Sequence, residues 1–147
     1  MTISTKMDLK IRPYADADQA QVVALWQRCE LSRPWNDPLK DIARKQAVRP
    51  EWFLVGELDG QVIASVMFGY DGHRGWMNYL AVAPEHQASG HAHALIAHGE
   101  ALLLATGCPK LSLQVRSSNA RVIAFYESLG YRQDEVISLG KRLIPDQ

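Results

Sequence analysis

Asp59-Gly60, set between the apolar runs Trp52 to Leu58 and Val62 to Tyr70, restricts the fold of this chain more than any other feature. A two-residue hairpin loop whose twist matches its strands needs left-handed backbone at both central positions, which Asp-Gly tolerates. The two runs are therefore predicted to pair antiparallel. Asp71-Gly72-His73-Arg74-Gly75 makes a second turn, and Trp76 to Ala83 supplies a third strand before Pro84, so the centre of the chain reads as a three-stranded meander.

The flanking segments extend this meander. Leu9-Lys10-Ile11-Arg12 alternates as a half-buried strand does, and Asp16 or Asp18 is placed to cap a helix from Ala20 to Cys29. Val22, Val23, Leu25, Trp26 and Cys29 give that helix one apolar stripe. Asp37 before Pro38 is positioned to cap a second helix over Leu39 to Val48. After the meander come a helix from about Gly90 to Thr106 stopped by Gly107, a strand at Leu111 to Val115, and a helix from Asn119 to Leu129 closed by Gly130. Tyr131 to Ile144 is expected to carry one or two final strands. The order β α α β β β α β α β β predicts one α/β (α+β) domain over residues 7–147, with a mixed, mostly antiparallel sheet of six to seven strands and four helices. Residues 1–6 are expected to form a disordered or extended tail.

Composition narrows the classes of function. The chain has 147 residues, 47% of them hydrophobic, enough for a core that needs no disulfide or zinc. Two cysteines and no stretch resembling a secretory leader point to a cytoplasmic protein. The longest apolar stretch, around Leu102 to Leu104, falls far short of the ~20 residues that span a bilayer. Lys+Arg and Asp+Glu balance at 16 each, and no basic cluster exceeds Arg44-Lys45 or Lys141-Arg142, so neither nucleic acid nor membrane is an expected partner. A small molecule or peptide is, and a homodimer is allowed.

Two segments carry chemistry. In Tyr79 to Ile96 an apolar strand enters a loop of small residues, and Gln87-Ala88-Ser89-Gly90-His91-Ala92 opens a helix. Free backbone N–H groups there converge on one spot, the helix dipole adds partial positive charge, and Gly90 and Ala92 leave room for a bulky anion such as a diphosphate. The second segment runs from Ser118 to Tyr131. Asn119 and Tyr126 are seven positions apart, two turns, and share a helix face.

Together these segments resemble the GCN5-related N-acetyltransferase (GNAT) family. Gln87, Gly90, Ala92, Asn119, Tyr126, Leu129, Gly130 and Tyr131 match its pattern, and the element order agrees over essentially the whole chain. Within the family the chain is most similar to the small bacterial YpeA-type acetyltransferases, through RPWNDP at Arg33 to Pro38, GYDGHRG at Gly69 to Gly75 and SLGKRLI at Ser138 to Ile144. The resemblance implies acetyl-CoA as co-substrate, its diphosphate held by the amides of Gln87, Ala88, Ser89, Gly90, His91 and Ala92. It implies that Leu80, Ala81 and Val82 pair with the pantetheine arm, that Asn119 contacts the arm, and that Tyr126 stands by the thioester sulfur. A phenol of pKa about 10 suits protonation of a leaving thiolate whose thiol pKa is about 8.5.

The chain departs from the family at Ser89, where a Lys or Arg is usual, and at His91, where an aliphatic residue is usual. The strand Trp76 to Ala83 holds no carboxylate, which leaves Asp71 and His73, at the turn entering it, as candidates for the base that takes the amine proton. Arg33, Trp35 and Asp37 are candidates for acceptor binding, Asp37 equally serving as a helix cap. No metal is expected: of His86, His91, His93 and His98, only His91 and His98 share a helix face, two turns apart and too distant for one ion. Cys29 and Cys108 read as packing residues. The leading reading is an enzyme that moves an acetyl group to a primary amine; the alternative is a non-catalytic acyl-CoA-binding or sensing module.

Overall fold

The computed structural model describes residues 8–146, so the expected tail at residues 1–6 lies outside the described residues. Its strands are β1 (Lys10–Pro13), β2 (Phe53–Leu58), β3 (Gln61–Tyr70), β4 (Gly75–Val82) and β5 (Leu111–Ser112). Its helices are α1 (Gln19–Arg28), α2 (Pro38–Gln46), α3 (His91–Ala105) and α4 (Ala120–Ser128). The sheet runs in the order β1-β2-β3-β4-β5, antiparallel except for the last pair, in which β4 and β5 are parallel. The mixed, mostly antiparallel sheet flanked by four helices is thus the architecture read from the sequence.

The hairpin at the centre follows from its turn chemistry. Asp59 and Gly60 adopt φ of 50° and 76°, both left-handed, as a tight two-residue loop requires. Beyond the loop every residue from Val62 to Phe68 is buried, because β3 is covered on both faces. On one face Trp26 of α1 meets Phe53 and Ser65; on the other, α3 lies so close that Gly99 abuts the Phe68 ring. This central packing is the core of the molecule.

Two expectations need correction. Asp18 stands before α1 but does not cap it: its carboxylate takes the Arg12 guanidinium at 2.7 and 2.9 Å and the Ala15 N–H at 2.8 Å. The final strands expected in Tyr131 to Ile144 are absent among the described residues, so the sheet has five strands rather than six or seven. β5, the edge strand on that side of the sheet, pairs over only two residues, and Val136, Ile137, Leu139 and Leu143 remain exposed. Polar contacts hold this segment instead: Lys110 with Asp134 at 2.8 Å, Gln114 with Ser138, and Arg142 with Asn36 at 2.8 Å. Among the described residues no helix is long and apolar enough to cross a membrane.

Candidate active site

The site begins where two neighbouring strands part. β5 pairs with β4 only at Gly75 and Trp76, so β4 from Met77 to Val82 keeps its ladder to β3 on one side and has no strand partner among the described residues on the other. An open sheet edge of this kind accepts an extended chain as an added strand. Halfway along it β4 bulges: Met67 faces Asn78 and Ser65 faces Ala81, so Tyr79 and Leu80 together oppose Val66. Tyr79 takes a left-handed φ of 54°, a strained backbone for an aromatic residue.

The open edge leads into a loop that resembles an anion cradle. The Gln87 side chain donates to Val82 O at 3.0 Å and ties the loop to the end of β4, while its own N–H donates to Pro84 O at 3.4 Å. Ala88 and Gly90 both have positive φ, 63° and 83°. No side chain caps α3, and the first bond into the helix is from Ala94 N–H to Gly90 O, at 3.0 Å. Among the described residues the amides of Ala88 to Ala92 have no backbone partner, and nothing lies within 4 Å of where a Gly90 Cβ would stand. The His86 and His91 rings meet edge to face at 6.1 Å at the mouth of this loop. The residues fit a diphosphate: donors, a helix N-terminus and room.

Asn119 starts α4, and its side-chain oxygen accepts from Val122 N–H at 3.3 Å as a helix cap. Two turns on, Tyr126 packs against Phe125 and Tyr131, with ring centroids 5.3 and 5.7 Å apart. Burial pushes the Tyr126 phenol up to about 12. Its hydroxyl makes no hydrogen bond among the described residues, whereas Tyr131 donates to Glu100 at 2.7 Å. A half-buried, protonated phenol without a partner is a donor in waiting.

A second cluster lies beside the bulge, on the α2 side. Tyr79 Oη donates to Asp41 Oδ2 of α2 at 2.5 Å, and the Tyr79 ring stacks on Trp26 at 4.0 Å. Burial and the neighbouring carboxylate hold the Tyr79 proton well above the ordinary phenol range. Arg44 contacts Asp41 at 3.2 Å and grips Asp146 through two bonds of 2.8 Å. Arg142 reaches Asp146 at 3.6 Å and Asn36 at 2.8 Å. Sequence reasoning singled out none of Asp41, Arg44, Tyr79 and Asp146. Asp41 lies 38 positions from Tyr79 and Arg44 lies 102 from Asp146, which hides the cluster, and nothing in an apolar strand marks a bulge.

The profile of the acetyltransferase (GNAT) family matches residues 20–131, more than half of the chain. The chain belongs to that family. It is 51% identical over 140 residues to an acetyltransferase of Sodalis glossinidius, covering 95% of this chain and 99% of that one. An acetyltransferase of Yersinia enterocolitica is 50% identical over 139 residues, with the same coverage of 95% and 99%. Among solved structures, the aminoglycoside N-acetyltransferase AAC(6')-Iy in complex with CoA superposes with a TM-score of 0.74 at 15% identity, over 97% of this chain and 100% of that one. The ribosomal-protein-S18-alanine N-acetyltransferase from Escherichia coli gives 0.72 at 26% identity, over 86% and 79%.

On this GNAT scaffold, Leu80, Ala81 and Val82 line the open edge and Gln87 to Ala92 follow directly from it. Asp71 and His73 are not brought to them. They sit at the other end of β4, where Gly75 N–H donates to Lys110 O at 2.8 Å just past the C-terminus of α3. α3 has 15 residues, about 22 Å of helix between that end and the cradle. Asp71 accepts the N–H groups of His73 and Arg74, both at 2.8 Å, and these bonds hold its carboxyl below the usual range. Asp37 caps α2, accepting from Leu39 N–H at 2.9 Å and Lys40 N–H at 3.2 Å. Trp35, with Arg33 in the same loop, lies under the Arg116 guanidinium at 5.7 Å. Among the described residues no group of three His, Cys, Asp or Glu is arranged around one point for a metal. Cys29 donates to Val82 O at 3.2 Å, and burial raises its thiol pKa.

Proposed function

We propose that this protein transfers the acetyl group of acetyl-CoA to a primary amine of a small molecule or peptide by direct attack, without a covalent enzyme intermediate. The observation that carries the reading is the parting of β4 from β5 beyond Trp76, which leaves one strand edge running into the uncapped start of α3. The extended pantetheine arm suits the edge at Leu80 to Val82, and the diphosphate suits the amides of Ala88 to Ala92. That both solved relatives are N-acetyltransferases, one of them with CoA, supports nitrogen as the acceptor atom.

The chain's own groups divide the proton work. Tyr126 keeps its proton at neutral pH and donates toward sulfur as charge builds there. Passing that proton to a thiolate in water would run uphill; the burial that raises the phenol raises the leaving thiol as well. Asp41, joined to the bulge residue through Tyr79, is better placed than Asp71 or His73 to receive the proton that the amine loses. Trp35 and Arg33 are offered to the acceptor.

Calorimetry with acetyl-CoA, followed by CoA release against a panel of amines, tests the reading. The thermal midpoint should rise with acetyl-CoA by mass action, and Gly90→Glu, which puts bulk and negative charge into the cradle, should abolish the rise. A folded Gly90→Glu protein with an unchanged shift would remove the cradle. Binding without turnover of any amine would favour a sensing module.

A further inference from the structure

Ser65, in the middle of β3, is wholly buried, and its hydrogen bonds leave no freedom in how its hydroxyl is used. Trp26 Nε1 donates to Ser65 Oγ at 2.9 Å, and an indole N–H can only donate. The one hydroxyl proton is thereby left for the Tyr79 carbonyl oxygen, 3.2 Å away. Tyr79 is the left-handed residue of the β4 bulge, a conformation that persists only where its surroundings hold it. Asp41 holds the Tyr79 hydroxyl, and Trp26 and Ser65 hold its ring and its peptide. The indole stacks on the Tyr79 ring at 4.0 Å and, through Ser65, orients the Tyr79 peptide.

The consequence lies on the far side of that peptide. In a planar trans peptide, the C=O of one residue and the N–H of the next point in opposite directions. Ser65 belongs to β3, so a Tyr79 carbonyl turned toward Ser65 sends the Leu80 N–H away from β3, to the edge that β5 leaves open. We infer that Trp26 and Ser65 are positioning residues that fix the β4 bulge so that the Leu80 amide meets the thioester carbonyl of the acetyl donor. This rests on the reading that acetyl-CoA lies along β4. With alanine at 65 the bulge would keep its space and lose the bond that sets its direction.

The test needs no acceptor. Acetyl-CoA labelled with carbon-13 at the thioester carbonyl is bound to the parent protein and to Ser65→Ala, Ser65→Thr and Trp26→Phe, and the carbonyl stretch is read by difference infrared spectroscopy. Acetyl-CoA and CoA affinities are measured alongside by calorimetry. Ser65→Ala should raise the stretching frequency and weaken acetyl-CoA about fivefold, the scale of one ordinary hydrogen bond, with CoA affinity unchanged. Ser65→Thr, which keeps the hydroxyl, should retain the parent frequency, and Trp26→Phe should broaden it or shift it part-way. Equal weakening of both ligands at the parent frequency would make Ser65 a packing residue and overturn the inference. If Ser65→Ala does not fold, Trp26→Phe decides, and a parent frequency there overturns it; failure of both to fold makes the pair a folding contact only. A parent protein that binds CoA but shows no carbonyl shift on binding acetyl-CoA also overturns it. Failure to bind either ligand instead removes the donor-site reading on which it stands.

Discussion

Tyr126 and Tyr79 are both harder to ionise than a free phenol, for different reasons that assign them different work. Burial alone raises Tyr126, to about 12, and leaves its proton unshared. Tyr79 is raised by burial and by Asp41, with which its proton is already engaged in a hydrogen bond. Because the Tyr126 pKa is raised, its proton stays in place through the neutral range and is lost only as pH approaches 12. Tyr126→Phe should therefore lower kcat roughly 10²-fold, by the same factor at pH 6 and at pH 9, with acetyl-CoA affinity nearly constant. A deficit that closes at high pH, or that falls only on affinity, would remove Tyr126 as the acid. Asp41→Asn should likewise lower turnover about 10²-fold, leaving CoA binding intact, whereas Asp71→Asn should loosen its turn and leave kcat at the parent value. The reverse pattern in steady-state kinetics would return the base to the turn. That Asn119 starts α4 and Tyr126 lies two turns on was legible in the sequence, because seven-residue spacing on one helix is a local fact. Asp41 was not, since it reads as one more charge on an exposed helix until folding carries it across 38 positions to Tyr79.

At the scale of elements, the hairpin and the helices could be read because turn chemistry and apolar spacing act over a few residues. Asp59-Gly60 needed nothing beyond its own φ angles. Gly75, by contrast, sits where β4 meets the end of α3 and the chain just after it: a Cβ there would stand 2.9 Å from Cys108 Sγ and 3.2 Å from Leu103 Cδ1. No local pattern reports such an approach. The same holds for Gly99, in the middle of α3, which looks like a weak point in a helix and is instead where α3 lies directly against the Phe68 ring of β3. A Cβ at Gly99 would lie 2.0 Å from Phe68 Cζ, far inside van der Waals contact. Gly99→Ala should therefore destabilise the protein by about 1–3 kcal/mol in denaturant melts, despite the better helix propensity of alanine. Because the helix that is displaced also carries the cradle at its N-terminus, the variant should lose part of its stabilisation by acetyl-CoA. Phe68→Leu in the same chain should return some of both, the two sites being in contact. A Gly99→Ala protein as stable as the parent would mean that α3 can shift along the sheet without cost.

For the molecule as a whole, the sheet, α1 and α3 make one core, and the chain beyond Tyr131, the last residue after α4 to pack on that core, is attached chiefly by polar and charged contacts. Its anchor is Asp146, whose side chain is only 1% exposed, held by two 2.8 Å bonds to Arg44 and approached by Arg142. Arg44 holds the Asp146 carboxyl below the usual carboxylate range, with Lys40 and Arg142 adding to the effect. A carboxylate whose pKa is lower folded than unfolded stabilises the attached state above its unfolded pKa of about 3.9, and that contribution is lost as pH falls through the lowered value. Asp18 is depressed in the same direction by Arg12, so the first strand and the C-terminal segment should weaken over the same acid range. They differ in what else holds them. β1 is paired to β2 over four residues, while the segment from Tyr131 has no ladder among the described residues. Hydrogen exchange read by mass spectrometry, corrected for the intrinsic rate at each pH, should thus find exchange in residues 132–145 constant from pH 8 to 5. It should accelerate below about pH 4, before β1 and β2 open. Asp146→Asn should bring the fast exchange to neutral pH with α3 and the hairpin still protected. Because Arg44 also touches Asp41, the same substitution should change turnover through the acceptor side and leave CoA binding unaltered. Exchange in the C-terminal segment that rises together with that of β3 would show instead that the segment is part of the cooperative core, and that the Arg44–Asp146 pair is not what attaches it.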